Sequence, residues 1–214
     1  MSSGVRQHTP ALSDGMPFDP QPDLVTARLR LRPFIPADAF AVQALAGAYE
    51  VANTTLTIPH PYPEGAAEGW IATHGPAWAA RKAVTYAITD VTGTLVGAIG
   101  LALVPAHASA EVGYWIGVPA WGRGYATEAA AALFDHAFGA LGVHRIEGRH
   151  FTRNAASGRV MQKLGMRLEG VMREAVRRRA TFEDLAVYAV LGPEWMQSRP
   201  GAVQPRSITS AFDN

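Results

Sequence analysis

A glycine-rich turn is the part of the sequence best suited to bind a ligand. Residues 121–126 read Trp-Gly-Arg-Gly-Tyr-Ala, and apolar residues recur at helical spacing from Tyr125 to Phe138. Glycines let a backbone approach a phosphate closely, and the first turn of a helix supplies N–H groups without helical partners. The turn therefore predicts an anion site that is built from backbone amides more than from the Arg123 side chain.

Two common nucleotide-binding motifs do not match this turn. No Gly-Lys-Ser or Gly-Lys-Thr follows the glycines, so residues 121–126 are not a Walker A loop. Only two glycines are present, which does not fit the dinucleotide fingerprint. A plain turn shaped by Gly122 and Gly124 stays open as an alternative from the residues alone.

The charge balance and the absence of cysteine exclude several classes of function. The chain has 214 residues, with 19 Lys and Arg against 18 Asp and Glu. This balance lacks the basic excess of a duplex-binding protein, so we expect no nucleic-acid partner. Without cysteine there is no disulfide, no Cys-based metal site and no acyl group carried on a protein thiol. His136, His144 and His150 match no metal-binding spacing, so we expect no metal.

The two ends of the chain differ in composition from its middle. Residues 1–22 carry four prolines and little apolar periodicity, and residues 198–214 are polar, so both are predicted to be disordered tails. One domain is predicted over residues 23–197. No apolar run approaches the ~18 residues of a spanning helix, and the N-terminus lacks the apolar stretch of a signal peptide. We therefore expect a cytoplasmic protein with no membrane association.

Alternation and periodicity predict seven strands and four helices between the tails. Residues 53–63, rich in Thr and Pro, are predicted to be a loop. The order βααβββαβαββ predicts an α/β (α+β) fold with a mixed central sheet of about seven strands and flanking helices. Strands are predicted over 29–32, 83–90, 95–104, 110–118, 145–151, 166–176 and 182–191, and helices over 36–47, 64–81, 125–138 and 154–164.

A longer segment around the turn has a family resemblance. Residues Glu111 to Ala126, followed by Thr127-Glu128-Ala129, resemble the acetyl-CoA motif of the GNAT N-acetyltransferases. The resemblance is to the RimJ/RimL-like branch, which includes the ribosomal-protein N-terminal acetyltransferases, and it covers about Leu24 to Trp195. Three further segments carry it: Asn154-Ala155-Ala156-Ser157, Lys163-Leu164-Gly165-Met166, and Tyr188 to Trp195.

This resemblance implies the GNAT acyl-CoA N-acyltransferase fold and a set of cofactor contacts. Strands 110–118 and 145–151 would splay apart, and the pantetheine arm of acetyl-CoA would lie in the gap along the backbone near Trp115 to Val118. Trp115 can also be a packed core residue, and Asn154 a helix N-cap. Trp121 stands where the family often has Gln or Arg, so its side chain is not expected to take over that contact. The implied contacts are Trp115, Ile116, Val118, Trp121, Gly122, Arg123, Gly124, Tyr125, Ala126 and Asn154.

Three residues are implied to carry the chemistry. Glu111 is the leading general base, with an exposed strand-end carboxylate as the alternative. Asp184 is the second candidate, and its alternative role is to orient the last hairpin or pair with an arginine. Ser157 would protonate the departing thiolate, because no tyrosine occurs between Asn154 and Leu168 for that task.

The function implied is transfer of an acetyl group from acetyl-CoA to a primary amine by direct attack in a ternary complex. The acceptor stays open between a protein N-terminus and a small-molecule amine, and a homodimer is one assembly that the resemblance allows. Arg177-Arg178-Arg179 is either a solvated turn or an attraction for an acidic acceptor. The alternative function is a non-catalytic acyl-CoA-binding domain that acts as a sensor or partner.

Overall fold

The computed structural model describes residues 20–178 and 180–198. Most of the two predicted tails and Arg179 lie outside these residues. The strands are β1 (Leu24–Val25), β2 (Leu29–Arg32), β3 (Ala83–Asp90), β4 (Leu95–Val104), β5 (Ser109–Ile116), β6 (Arg145–Phe151), β7 (Arg167–Arg178) and β8 (Thr181–Leu191). The helices are α1 (Ala39–Ala46), α2 (Tyr49–Ala52), α3 (Ala66–Ala72), α4 (His74–Ala79), α5 (Tyr125–Gly139), α6 (Ala155–Lys163) and α7 (Gly192–Gln197).

The eight strands form one mixed sheet in the order β1-β2-β3-β4-β5-β6-β8-β7. Neighbouring strands run antiparallel except β5 and β6, which are parallel. The mixed sheet with flanking helices confirms the predicted fold class. The sheet has one strand more than the predicted seven, because Leu24 and Val25 pair with Leu31 and Arg30. A strand of two residues is too short to show alternation in the sequence.

The helices depart from the predicted boundaries where proline and glycine interrupt them. The single helix predicted over 64–81 is two helices, α3 and α4, that meet at Thr73. Pro76 has no N–H to donate to the carbonyl of Ala72, so one continuous helix cannot form there. The helix predicted from Pro36 begins with a 3₁₀ turn before α1. No helix in the described part of the chain is long and apolar enough to cross a membrane.

Apolar residues pack on both faces of the sheet. On one face, α5 buries Leu133 and Phe134 completely against the central strands. On the other face, α1 and α3 form a second cluster that includes Trp115, which is 8% exposed. Trp115 therefore packs in the core, which was its alternative explanation.

The packing of His74 makes stability depend on pH. Its imidazole lies among the rings of Phe34 and Trp70, with centroids at 5.2 and 4.4 Å, and neither ring nitrogen has a hydrogen-bond partner in the described structure. Burial lowers the pKa of His74 to about 4, whereas an unfolded histidine titrates near ~6.5. Between these values the unfolded chain binds the proton more readily, so the free energy of unfolding should decrease as the pH falls from about 6.5 to about 4.

Urea unfolding at a series of pH values measures this effect. Because the ring keeps partial access to water, we expect a loss of about 1–2 kcal/mol from His74. His74→Phe keeps a ring at this position and should make the pH dependence shallower. Burial also lowers the pKa of His136, so a smaller dependence of the same sign should persist in the variant. An unchanged slope in His74→Phe would contradict the assignment.

Candidate functional site

The parallel strands β5 and β6 separate halfway along their length. They pair with each other from Ser109 and Arg145 as far as Val112 and Gly148. Beyond this point β5 stays paired only with β4, as far as Ile116, and β6 only with β8, as far as Phe151. The helix α6 packs tightly at the point of separation, since a Cβ on Gly148 would lie 2.9 Å from the methyl of Met161. The predicted splayed gap is therefore present.

Backbone groups of β5 line one side of this gap. The N–H of Gly117 donates to the carbonyl of Val96 at 2.9 Å, on the β4 side. Because neighbouring residues in a strand direct their backbone groups to opposite edges, those of Ile116 and Tyr114 point toward the gap. The Ile116 carbonyl accepts a hydrogen bond from the Trp121 indole at 2.6 Å. The indole therefore packs back onto the end of β5.

The strand β5 ends two residues earlier than predicted. Val118 was predicted to lie in the strand, but it begins a 3₁₀ turn that ends at Ala120. Pro119 has no N–H to continue a strand ladder, which accounts for the early end of β5 at Ile116. The strand edge next to the gap thus runs over Tyr114 and Ile116 and not as far as Val118.

The glycine turn forms the start of α5. Gly122 and Gly124 have φ values of 75° and 77°, in the left-handed region that favours glycine, and Gly124 caps the helix. The N–H of Glu128 donates to the Gly124 carbonyl, so the N–H groups of Tyr125, Ala126 and Thr127 come before the first helical bond. With the dipole of a 15-residue helix behind them, these amides can bind an anion.

Arg28 supports this turn from the connection between β1 and β2. Its guanidinium donates to the Arg123 carbonyl at 3.0 Å and lies over the Tyr125 ring, 5.1 Å from the centroid. Its Nε also donates to Glu128 at 2.7 Å. Burial raises the pKa of Glu128, but hydrogen bonds from Thr26 and Arg28 outweigh this effect and the pKa is lowered. Beyond strand alternation, no sequence pattern points to Arg28, because it lies 95 positions from Arg123.

The start of α6 brings Ser157 to the gap. Asn154 caps this helix, and its Oδ1 accepts a hydrogen bond from the backbone N–H of Ser157 at 3.3 Å. The Ser157 hydroxyl oxygen lies 2.7 Å from the phenol oxygen of Tyr114. Burial raises the pKa of Tyr114 to about 12 although the Ser157 contact opposes it. Tyr114 was not among the predicted site residues.

One cavity of about 1160 Å³ joins the gap, the glycine turn and the helices on the other face. Three of the predicted site residues do not line this cavity: Val118, Arg123 and Asp184. Ten of the predicted site residues do line it: Glu111, Trp115, Ile116, Trp121, Gly122, Gly124, Tyr125, Ala126, Asn154 and Ser157.

The two predicted carboxylates lie in different settings. Glu111 lines the cavity with its side chain 49% exposed, and its Oε2 is 3.9 Å from an Arg149 nitrogen that is closer to Glu147, at 2.7 Å. Asp184 accepts a hydrogen bond from the backbone N–H of Glu174 at 2.7 Å. Glu174 has a φ of 48°, so this contact holds an unusual backbone conformation in the hairpin. Glu111 therefore has access to a ligand in the cavity, and Asp184 has the hairpin role that was its alternative.

Two arginines hold in place the loop that follows α2, which forms part of the cavity wall. Arg178 donates to the Thr55 carbonyl at 3.0 Å, to the Asn53 side chain at 3.1 Å and to the Ala52 carbonyl. Arg153 donates to the Asn53 carbonyl at 2.9 Å and pairs with Glu183. We call these two arginines and their contacts to residues 52–55 the loop clamp. Arg178 thus lies in β7 and holds residues 52–55 through uncharged oxygens, while an attraction of the cluster for an acidic acceptor stays a prediction.

Metal ligation has no support in the described residues. Residues 20–178 and 180–198 contain no group of three or more His, Cys, Asp or Glu side chains that could hold a metal ion. His150 has its Nδ1 2.8 Å from the Phe151 carbonyl oxygen, and its ring stacks on Tyr188. The polar side chains that line the cavity include Glu111, Tyr114 and Ser157 together with Arg149, His150 and Lys163.

Comparisons with known proteins agree with this geometry. The family model of the acetyltransferase (GNAT) domain matches residues 28–167. YoaA of Bacillus subtilis (strain 168), an uncharacterised N-acetyltransferase, is 39% identical over 103 residues, which span 48% of this chain and 58% of YoaA. The chain thus spans little more than half the length of this curated relative.

Solved structures share the whole fold. A GNAT-family acetyltransferase from Bacillus anthracis is 25% identical with a TM-score of 0.72, and the match covers 80% of this chain and 99% of that one. RimJ of Mycobacterium smegmatis, solved in complex with CoA-disulfide, is 25% identical with a TM-score of 0.70 and coverage of 78% and 83%. The chain therefore belongs to the GNAT acetyltransferase family and is similar to its RimJ/RimL-like branch.

Proposed function

We propose that this chain transfers an acetyl group from acetyl-CoA to a primary amine by direct attack in a ternary complex. The observation that carries the proposal is that the gap between β5 and β6 and the amides at the start of α5 open into the same cavity. A cofactor with a pyrophosphate and an extended amide-bearing arm fits this combination. A cytoplasmic location and a homodimeric assembly stay predictions.

In this proposal the backbone binds most of the cofactor. The N–H groups of Tyr125, Ala126 and Thr127 hold the pyrophosphate at the helix start. The pantetheine arm pairs with the exposed edge of β5 at Tyr114 and Ile116, as an added strand would. Asn154 contacts the arm from the start of α6, where its side chain already faces the gap. Arg28 positions the turn through its hydrogen bond to the Arg123 carbonyl.

The amine must lose a proton before it can attack. An amine with a pKa near ~10.4 needs about 4–5 kcal/mol to be neutral at pH 7, and an α-amine near ~8 needs about 1 kcal/mol. We assign Glu111 as the base that takes this proton, because its carboxylate lines the cavity. The new N–C bond forms at the thioester carbon, and a backbone N–H at the gap donates to the oxyanion.

The C–S bond then breaks and the sulfur leaves as a thiolate. We assign Ser157 as the hydrogen-bond donor to this thiolate at the start of α6, where the helix dipole also favours negative charge. A thiol with a pKa near ~8.5 is far more acidic than a serine hydroxyl, so this donation stabilises the thiolate without leaving a seryl anion. After attack the nitrogen carries a positive charge and has a second proton to lose. The proton that Glu111 gained passes to water, and the thiolate takes up this second proton from the nitrogen, which yields a neutral amide and free CoA.

The charged residues that line the cavity favour an acceptor amine with few positive charges. Glu111 is the only carboxylate among the described lining residues, and Arg149 lies beside it. A polyamine would bring several positive charges without partners. The lining also includes the apolar side chains of Leu56, Ile58 and Trp70. We therefore propose a single primary amine next to an apolar group, such as the α-amine of a protein N-terminus.

An acceptor screen that follows free thiol release from acetyl-CoA tests this proposal. Short peptides with an apolar first residue should react at least about tenfold faster than spermidine or the same peptides with a blocked N-terminus. Preference for spermidine would overturn the acceptor class. CoA binding by calorimetry without thiol release for any amine would support the non-catalytic acyl-CoA-binding alternative instead.

A further inference from the structure

We propose that Tyr114 is a positioning residue for Ser157: its phenol donates a hydrogen bond to the Ser157 hydroxyl oxygen and thereby directs the serine proton into the gap, toward the leaving sulfur. This inference rests on the proposed function of the same site. It adds a residue from β5 to a role that was assigned to α6 alone.

The contacts of the phenol support this role. The two oxygens are 2.7 Å apart, which is a normal distance for an O–H···O bond. The next contact of the phenol, to the Ser157 carbonyl, is 3.5 Å long and therefore weak. Within the described residues, both hydrogen-bond contacts of this phenol are thus with Ser157. Tyr114 and Ser157 both line the cavity.

The distances indicate which oxygen donates. Burial raises the pKa of Tyr114 to about 12, so the phenol keeps its proton at neutral pH and can donate it. An enclosed O–H without an acceptor costs about 1–3 kcal/mol, and the nearest acceptor among the described residues is the serine oxygen at 2.7 Å. Once that oxygen accepts, the proton of Ser157 points away from the phenol, and the cavity that both residues line is the side from which a ligand can receive it.

The backbone fixes both partners in place. The backbone groups of Tyr114 face the gap, because Gly117 three residues on bonds to β4. The N–H of Ser157 is held by the Asn154 cap at the first turn of α6. The phenol therefore links β5, which lines one side of the gap, to the first turn of α6, and the serine hydroxyl is oriented before any cofactor binds.

A double-mutant cycle on the reaction tests the coupling. Tyr114→Phe removes only the hydroxyl and should lower kcat about tenfold, with little change in the KM for acetyl-CoA. Ser157→Ala should lower kcat at least as much, and adding Tyr114→Phe to Ser157→Ala should change it less than about twofold. Tyr86→Phe, which removes another buried phenol away from the cavity, should keep wild-type kcat.

If Tyr114→Phe lowers kcat by the same factor in the wild-type and in the Ser157→Ala backgrounds, the proposal is overturned, because the phenol then acts without Ser157. No effect of Tyr114→Phe on kcat would also overturn it. Full activity of Ser157→Ala would remove the role of the serine and with it the positioning role of Tyr114, while acetyl transfer itself would stand.

A second measurement is independent of turnover. The ultraviolet absorbance of the thiolate reports the ionisation of CoA bound without acetyl group or acceptor. A serine proton directed at the sulfur should make the bound thiol about tenfold more acidic than free CoA, and both variants should remove most of this difference. Equal acidity of bound CoA in the wild-type chain and in Tyr114→Phe would contradict the inference even if the chain acetylates no amine in the screen.

Discussion

Replacing Gly124 by aspartate should weaken CoA binding by at least about 100-fold, or ~2.7 kcal/mol, while the chain still folds. The new carboxylate would lie at the cap position of α5 and accept hydrogen bonds from the amides that we assign to the pyrophosphate. It would also repel that pyrophosphate directly. Isothermal titration calorimetry with CoA measures the loss.

Two control variants separate charge from backbone strain. Gly124→Asn has nearly the same shape without the charge and should bind CoA about tenfold more tightly than Gly124→Asp. Gly93→Asp places aspartate at another glycine with positive φ, 83°, in the turn between β3 and β4, and should bind CoA normally. Unaltered CoA affinity in a folded Gly124→Asp variant would remove the phosphate role of this turn.

Replacing Glu111 by glutamine should lower kcat/KM for the amine by about 10²–10³-fold at pH 7, with CoA affinity unchanged. The amide cannot accept the proton, yet its size and its place on β5 are retained. The loss should diminish as the pH rises toward the pKa of the free amine, because the amine then loses its proton to water. Initial rates from pH 6 to about 9.5 provide this profile.

Asp184→Asn is the comparison for this experiment. Its carboxylate holds the Glu174 backbone in the hairpin, so we expect a modest loss of stability and a rate within a few-fold of wild type. If Asp184→Asn strongly lowers kcat/KM while Glu111→Gln stays active, Asp184 and not Glu111 is the base. Normal rates in both variants would leave neither carboxylate as the base.

The parts of the fold that follow local rules were predictable from the sequence. The α5 helix was recognised because Ala130, Phe134 and Phe138 recur on one face, and its start because two glycines precede it. The break at Thr73 and the early end of β5 were missed although Pro76 and Pro119 cause them. In both places a proline within an otherwise periodic segment outweighed the apolar pattern.

The site was predictable where its parts are contiguous in the chain. The turn at Gly122 and Gly124 needs only its own residues and the helix that follows. The Tyr114 and Ser157 pair joins residues 43 positions apart, and Arg178 reaches a loop 123 to 126 positions away. No pattern in one sequence identifies such pairs, because their contact depends on the register of β5 against α6 and of β7 against α2.

The loop clamp has a consequence for exchanging specificity between relatives. The loop after α2 belongs to the first third of the chain, whereas Arg153 and Arg178 come from the β6–α6 junction and from β7. In the proposed function, the wall that faces the amine is therefore assembled from segments that are distant in the sequence. A graft of residues 53–62 into a homologous scaffold would carry its amine preference along only if both guanidinium groups came with it.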